Sequence, residues 1–92
     1  MNDCFRLQNV LTGNVGTTAK DISLGYRAFL LRNTHATNSL HFREKTVDNT
    51  AVTSSNGFTL AAGECTPIVL RADKLSVLGS AASTTYQILL LD

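Results

Sequence analysis

The chain has 92 residues, which is enough for one domain with one hydrophobic core and too few for two. Its composition is 43% hydrophobic and 16% charged with a formal net charge of +1, which excludes a disordered chain and argues against a nucleic-acid or anionic-membrane partner. The longest apolar run, residues 88–91, is far shorter than the roughly 18 residues that span a bilayer.

Short apolar segments of period two, separated by turn-forming residues, recur along the whole chain. Seven Asn, seven Ser and twelve Thr supply the turns and the solvent-facing positions. No window keeps the i, i+3, i+4, i+7 apolar spacing of an amphipathic helix without an interruption by Gly, Pro or Thr. The sequence therefore predicts a single all-β domain over residues 1–92, a small antiparallel β-sandwich or barrel, with a jelly roll as one variant.

The first 20 residues predict an N-terminal strand followed by a flexible loop. Residues 4–11 alternate apolar and polar side chains, which is typical of a strand with one apolar face. Residues 12–18 are polar and contain two glycines, which favours a loop over the surface. The next strand is expected to begin after Gly25.

Residues 26–33 predict a strand with two partly apolar faces. The alternating side chains are Ala28, Leu30 and Arg32 on one face, and Phe29 and Leu31 on the other. A strand with one wet face would alternate more cleanly, so this one is expected to be central or to contact another subunit. A polar turn over residues 33–39 follows it.

Residues 40–44 form the cleanest alternating segment of the chain. Leu40 and Phe42 are expected in the core, and His41 and Arg43 are expected toward solvent or an interface.

The remaining strands are predicted from turn signals. Asn56-Gly57 predicts a type I′ hairpin between residues 46–55 and a return strand that begins at Phe58. Gly63 predicts another tight turn. Pro67 lacks an N–H group and therefore belongs at the start of a strand or at a sheet edge. The strand over residues 66–70 is accordingly expected to begin there and to lie at an edge. The last predicted strands, separated by turns at residues 72–74 and 79–84, are residues 66–70, 75–78 and 85–91.

No combination of residues predicts a catalytic, metal or cofactor site. His35 lies in a polar turn, His41 faces away from the core, and neither accompanies a nucleophile motif or a metal-ligand spacing. Glu44 and Asp48 are the closest carboxylates on one element, but so small a domain has little room for a cleft between them. Cys4 and Cys65, far apart in the chain, are expected to be reduced thiols. The sequence therefore predicts no enzyme, and residues 1–4, which include an acid and are followed by no apolar segment, lead us to expect no secretory signal.

Arginines interleaved with aromatic residues are the one chemical indication, because this mixture is enriched at protein interfaces. The predicted interface residues, which are aromatic, aliphatic, basic or imidazole side chains, are Tyr26, Arg27, Phe29, Leu31, Arg32, His41, Arg43, Tyr86, Leu89 and Leu91. Among them Phe29, Leu31, Leu89 and Leu91 are expected at an oligomer interface. The alternative is a carbohydrate or receptor site around Tyr26 and Tyr86.

From residue 26 onward, the order of segments resembles that of small structural proteins of tailed bacteriophages. The resemblance depends on a strand ending in Asn33-Thr34, on the Ser-x-Gly-Phe-x-Leu-x-x-Gly-Glu pattern within residues 53–64, on a Leu-containing segment over residues 73–79, and on the last strand. These segments cover about two thirds of the chain.

This resemblance implies a non-enzymatic virion structural protein built as a small β-sandwich. It implies a capsid decoration or cement protein that bridges adjacent subunits of the major capsid protein, with a neck, tail or fibre position as the alternative. A homo-oligomer is expected, with a trimer favoured over a dimer, made in the host cytoplasm and incorporated into the virion. Neither a nucleic acid nor a membrane is expected as a partner, and no cofactor.

Overall fold

The computed structural model describes residues 7–45 and 49–91, which form a single antiparallel sheet. Its strands are Leu7–Val15 (β1), Lys20–Asn33 (β2), Leu40–Glu44 (β3), Phe58–Leu60 (β4), Leu70–Gly79 (β5) and Thr84–Leu91 (β6). The strand order is β1-β6-β2-β5-β3-β4. The all-β prediction is confirmed, whereas a sandwich or a barrel is not. Within the described ranges no helix is long and apolar enough to cross a membrane.

β2 belongs to both halves of this sheet. Its first residues pair with β5, where Lys20 lies opposite Val77, and its last residues pair with β6, where Asn33 lies opposite Tyr86. Both ends of β2 therefore lie beside the hairpin that joins β5 to β6. A straight strand of this length would span about 46 Å, so β2 must bend for its two ends to reach the same hairpin.

The bend lies at Leu24, Gly25 and Tyr26. The register between β2 and β5 shifts there, so that these three residues lie across from Asp73 alone. Gly25 and Tyr26 have φ angles of 64° and 62°, in the left-handed region that glycine adopts at little cost. The prediction that the strand starts after Gly25 is wrong, because the glycine bends a continuous strand instead of preceding one.

The core lies on the concave side of the bent sheet. Phe29 and Leu31 are 1% and 0% exposed and pair with Leu90 and Ile88 of β6. They belong to the core and are not on the surface expected of an oligomer interface. Both faces of β2 are apolar, so the alternation alone could not tell which of them faces inward. The core residues are Val15, Leu24, Phe29, Leu31, Leu40, Phe42, Leu60, Ala72, Leu75, Val77, Tyr86, Ile88 and Leu90.

β3 and β6 closely follow the predictions. β3 has the predicted bounds, with Leu40 and Phe42 buried and His41 and Arg43 half-buried. β6 begins one residue earlier than expected. The turn at Gly63 is also confirmed, since its φ is 78° and the Glu64 amide donates to the Ala61 carbonyl at 2.9 Å.

Two predicted loops are strands. Residues 12–15 belong to β1 and pair with β6, and residues 72–74 belong to β5. Gly13 serves close packing and does not form a turn, because a Cβ atom at this position would lie 2.6 Å from the Tyr86 hydroxyl. The beginning of the predicted first strand, residues 4–6 with Cys4, lies outside the described residues.

The predicted hairpin at Asn56-Gly57 is wrong. Neither residue has a positive φ, and β4 pairs with β3 instead of with the preceding segment. Residues 49–57 form a loop against the face of β5 that is opposite the core, where the Val52 amide donates to Ser76 Oγ at 3.0 Å. The prediction for residues 46–48, including Asp48 as a partner of Glu44, falls outside the described residues.

The predicted strand over residues 66–70 is not formed: a single bridge lies just before it, and only Leu70 belongs to a strand, as the first residue of β5. Cys65 bridges Arg32 of β2, and the Thr66 amide donates to the Leu31 carbonyl at 2.9 Å. Pro67 interrupts the pairing, because it has no N–H group to continue it. Ile68 and Val69 are therefore exposed before β5 begins.

Candidate interaction surfaces

The ten predicted interface residues do not form one surface. Four are buried in the protomer, three are half-buried and three are exposed. The buried ones are Phe29, Leu31, Tyr86 and Leu91, the half-buried ones are His41, Arg43 and Leu89, and the exposed ones are Tyr26, Arg27 and Arg32.

The tyrosine pair expected at a carbohydrate site is not formed. Tyr26 lies at the bend of β2 and is 54% exposed, whereas Tyr86 faces the core with Ile88 and Leu90. The Tyr86 ring packs under Lys20, whose Nζ is 5.6 Å from the ring centroid. Because Tyr86 offers no face to solvent, the proposed pair of exposed rings is excluded.

His41 and Arg43 link neighbouring segments on the face of β3 opposite the core. His41 Nδ1 lies 2.9 Å from Thr59 Oγ1 on β4. Arg43 Nη1 donates to the Asn56 carbonyl at 3.0 Å and so connects β3 to the 49–57 loop. The described residues contain no group of three or more His, Cys, Asp or Glu side chains that could hold a metal ion.

A second apolar surface lies on the sheet face opposite the core, where β1, β6 and β2 are neighbours. The register places Leu89 between Val10 and Leu30, and it places Leu91 beside Ala28. None of these residues belongs to the core cluster. We call this surface the outer strip; it consists of Val10, Ala28, Leu30, Leu89 and Leu91.

The outer strip is partly open to solvent. Val10 is 39% exposed and Leu30 and Leu89 are half-buried, whereas Ala28 and Leu91 are nearly covered. An antiparallel sheet that has one wet face normally carries polar residues on it. With Leu89 and Leu91 on this face and Ile88 and Leu90 in the core, β6 is apolar on both sides.

Two arginines lie beside the outer strip. Arg32 follows Leu30 on the same face of β2, and Arg71 lies opposite Ala28 on β5. Arg71 Nη1 donates to the Tyr26 carbonyl at 2.7 Å. Within the described part of the chain, no carboxylate forms an ion pair with either guanidinium.

A third surface lies where the core opens beside β4. β4 has only three residues and is the last strand of the sheet, so none of the described strands lies beyond it on this side. The opening leads into a cavity of about 200 Å³. We call it the core mouth; its apolar walls are Phe42, Phe58, Pro67, Ile68 and Leu70.

The core mouth exposes the two most solvent-accessible large apolar side chains of the described residues. Phe58 is 73% exposed and Ile68 is 64% exposed. The Phe58 ring lies against Phe42, with 5.6 Å between the ring centroids. An adjoining hollow of about 100 Å³ extends to Phe29 and has Glu44 and Arg71 as its charged lining residues.

Sequence reasoning missed the core mouth. It assigned Phe58 and Ile68 to ordinary strands, and only Pro67 indicated an irregular edge. Chemically, the surface offers aromatic and aliphatic carbon for contact and no group of titratable residues suited to catalysis. No protein-family model matches the chain, and neither a curated protein nor a solved structure matches it.

Proposed function

We propose that this chain is a non-enzymatic structural component of a large protein assembly. More specifically, we propose that it is a decoration protein that bridges adjacent subunits of a bacteriophage capsid. The observation that carries the proposal is the outer strip, an apolar sheet face on a domain that already has a complete core on its other face. The segment order from Asn33-Thr34 to the last strand supports the choice of a phage particle.

The outer strip favours binding to another protein. Covering an exposed Val or Leu side chain completely contributes about 1.5–3 kcal/mol, and the residues of the outer strip are already partly covered. One copy would therefore bind weakly through this surface alone. A decoration protein is repeated over a symmetric lattice, where linked contacts multiply through effective concentration.

Arg32 and Arg71 indicate the chemistry of the partner surface. Guanidinium groups beside an apolar patch complement carboxylates that surround another apolar patch. The outer strip is consequently expected to contact a shell surface with exposed aliphatic residues and nearby Asp or Glu side chains. Two copies meeting through their outer strips would instead bring arginines toward arginines.

The test is the composition of purified particles. Particles are separated from free protein on a density gradient, and this chain is counted against the major shell protein by quantitative mass spectrometry. A near-equimolar ratio supports decoration, whereas a few copies per particle place the chain at the neck, tail or fibre instead. Absence of the chain from the particles would contradict the proposal.

A further inference from the structure

We propose that His35 makes the 33–39 turn sensitive to acid: a proton added to its ring nitrogen Nδ1 opens the turn and loosens its contact with the beginning of β6. The inference goes beyond the proposed function, because it concerns the domain itself and holds whatever the domain binds.

The first argument is the set of donors around the half-buried His35 ring. The main-chain amides of Asn38 and Thr37 donate to Nδ1 at 2.9 Å and 3.1 Å. A main-chain N–H group can only donate, so Nδ1 has to be the acceptor of both bonds and carries no proton. The ring is therefore neutral in this arrangement, and its one proton lies on Nε2.

A protonated ring cannot keep this arrangement, because an imidazolium has an N–H group at both nitrogens and no acceptor. The Thr37 hydroxyl oxygen, 3.4 Å from Nδ1, could accept one bond from the ring, but it would not replace the acceptor that the two amides lose. Imidazoles take up a proton in the range of about pH 8 to 5. The neutral ring therefore stabilises the turn above this range, and the stabilisation is lost as the pH falls through it.

Asn38 connects the His35 ring to the rest of the fold. Its side-chain amide donates to Thr84 Oγ1, at the beginning of β6, at 3.0 Å, and its carbonyl accepts from Asn33 Nδ2 at 2.8 Å. Thr84 and Asn33 are both 0% exposed. A shift of Asn38 away from His35 therefore also disturbs the contact between the turn and β6.

The charges near the turn do not offer the protonated ring a ready partner. The titratable or charged residues within two positions of a hydrogen bond made by the turn are Arg32, His41, Glu64, Cys65 and Tyr86. Glu64 is the one carboxylate in this described set, and its Oε1 accepts from the Ala61 amide at 2.7 Å. An imidazolium at His35 would have to take Glu64 away from that bond to gain an ion pair.

His41 provides the matched comparison within the chain. Its Nδ1 lies 2.9 Å from Thr59 Oγ1. A hydroxyl can donate or accept, so it can rotate to accept a bond from a protonated ring. Protonation therefore preserves the His41 contact, whereas it breaks both bonds to His35.

The experiment is amide hydrogen exchange of the full chain at pH 7.5 and pH 5.0. Protection is expressed as the exchange rate of an unstructured peptide at the same pH divided by the measured rate. We expect the protection of the Thr37 and Asn38 amides to fall about tenfold or more at the lower pH, because the loss of two hydrogen bonds favours local opening. Equal protection at the two pH values would overturn the inference.

Two variants assign the effect to His35. His35→Asn supplies a carboxamide oxygen, which can accept from main-chain amides of a turn and does not titrate, so protection should be nearly the same at both pH values. His41→Gln removes the other histidine and should keep the fall seen in the parent chain. Circular dichroism spectra like that of the parent show that both variants are folded. The same fall in His35→Asn as in the parent, or its disappearance in His41→Gln, would contradict the role of His35.

The tautomer of His35 gives a readout that does not depend on opening of the turn. Nitrogen-15 chemical shifts of the ring at pH 7.5 distinguish a proton on Nε2 from a proton on Nδ1. The inference requires the proton on Nε2, and a proton on Nδ1 would overturn it.

Discussion

The side-chain amide of Asn33 donates a hydrogen bond of 3.1 Å to the main-chain carbonyl of Leu60, and so joins the end of β2 to the end of β4. The same amide donates to the Asn38 carbonyl at 2.8 Å, and its oxygen accepts from the His35 amide at 3.0 Å. Asn33 is 0% exposed. This one side chain therefore positions both the 33–39 turn and the last residue of β4, the strand that borders the core mouth.

Replacing Asn33 by Asp should destabilise the fold. The change keeps the shape but replaces a group that donates two hydrogen bonds with a carboxylate facing two carbonyl oxygens. We expect a loss of about 3 kcal/mol in the free energy of unfolding, measured by urea denaturation. Asn14→Asp, at an exposed position of β1, is the control and should stay within about 0.5 kcal/mol of the parent. Equal stability of both variants would show that the Asn33 bonds contribute nothing.

Ser76→Ala should loosen the 49–57 loop. The Ser76 hydroxyl accepts the hydrogen bond from the buried Val52 amide, and alanine would leave that N–H group unsatisfied. The expected cost is about 1–3 kcal/mol of unfolding free energy. Hydrogen exchange should also show faster exchange at the Val52 amide. Ser80→Ala tests a hydroxyl at an exposed position, where Oγ accepts from the Ser39 amide, and its effect should be smaller.

Gly79→Ala should destabilise the chain, whereas Gly16→Ala should not. A Cβ atom at Gly79 would lie 2.8 Å from the Val15 carbonyl oxygen and 2.7 Å from the Thr84 Cβ, so backbone would have to move. We expect a loss of about 2 kcal/mol. At Gly16 there is open space and no positive φ, and alanine should be neutral or stabilising by up to about 1 kcal/mol. Thermal unfolding of both variants is the measurement, and similar midpoints would contradict the packing described at Gly79.

Arg32→Glu should weaken binding to the particle more than Arg27→Glu does. Both arginines are exposed, but only Arg32 lies beside the outer strip, since Arg27 follows the bend and pairs with Ala72. A glutamate at position 32 would face the carboxylates expected on the partner surface and would be repelled by them. Binding to particles stripped of this chain is measured at low and high salt, and the difference between the two variants should shrink at high salt. Equal loss of binding in the two variants would show that Arg32 is not part of the contact with the particle.

The strands that could be predicted are those that alternate cleanly and whose first and last residues do not depend on the neighbouring strand. β3 alternates without a fault over residues 40–44, and β6 is apolar on both faces whichever strand lies beside it. Gly25 was misread because a glycine in a bent strand and a glycine before a strand have the same local pattern. Only the pairing of both halves of β2 distinguishes these cases.

The candidate surfaces were predictable in part for the same reason. The apolar second face of β6 could be read from Leu89 and Leu91, because alternation is a local property. The exposure of Phe58 and Ile68 could not be read in this way, since it depends on β4 pairing with β3 and on β4 being the outermost of the described strands. Which strand becomes an edge is decided by contacts far apart in the sequence.

The strand order has a consequence for how the molecule acquires its structure during translation. β6 is the last of the six strands to leave the ribosome, yet it lies between β1 and β2 inside the sheet. Until it arrives, β1 has no partner among the described strands, and the edge of β2 that faces β6 is unpaired. The nascent chain can already pair β2 with β5, but β1 has to wait until the eight-residue β6 has been made.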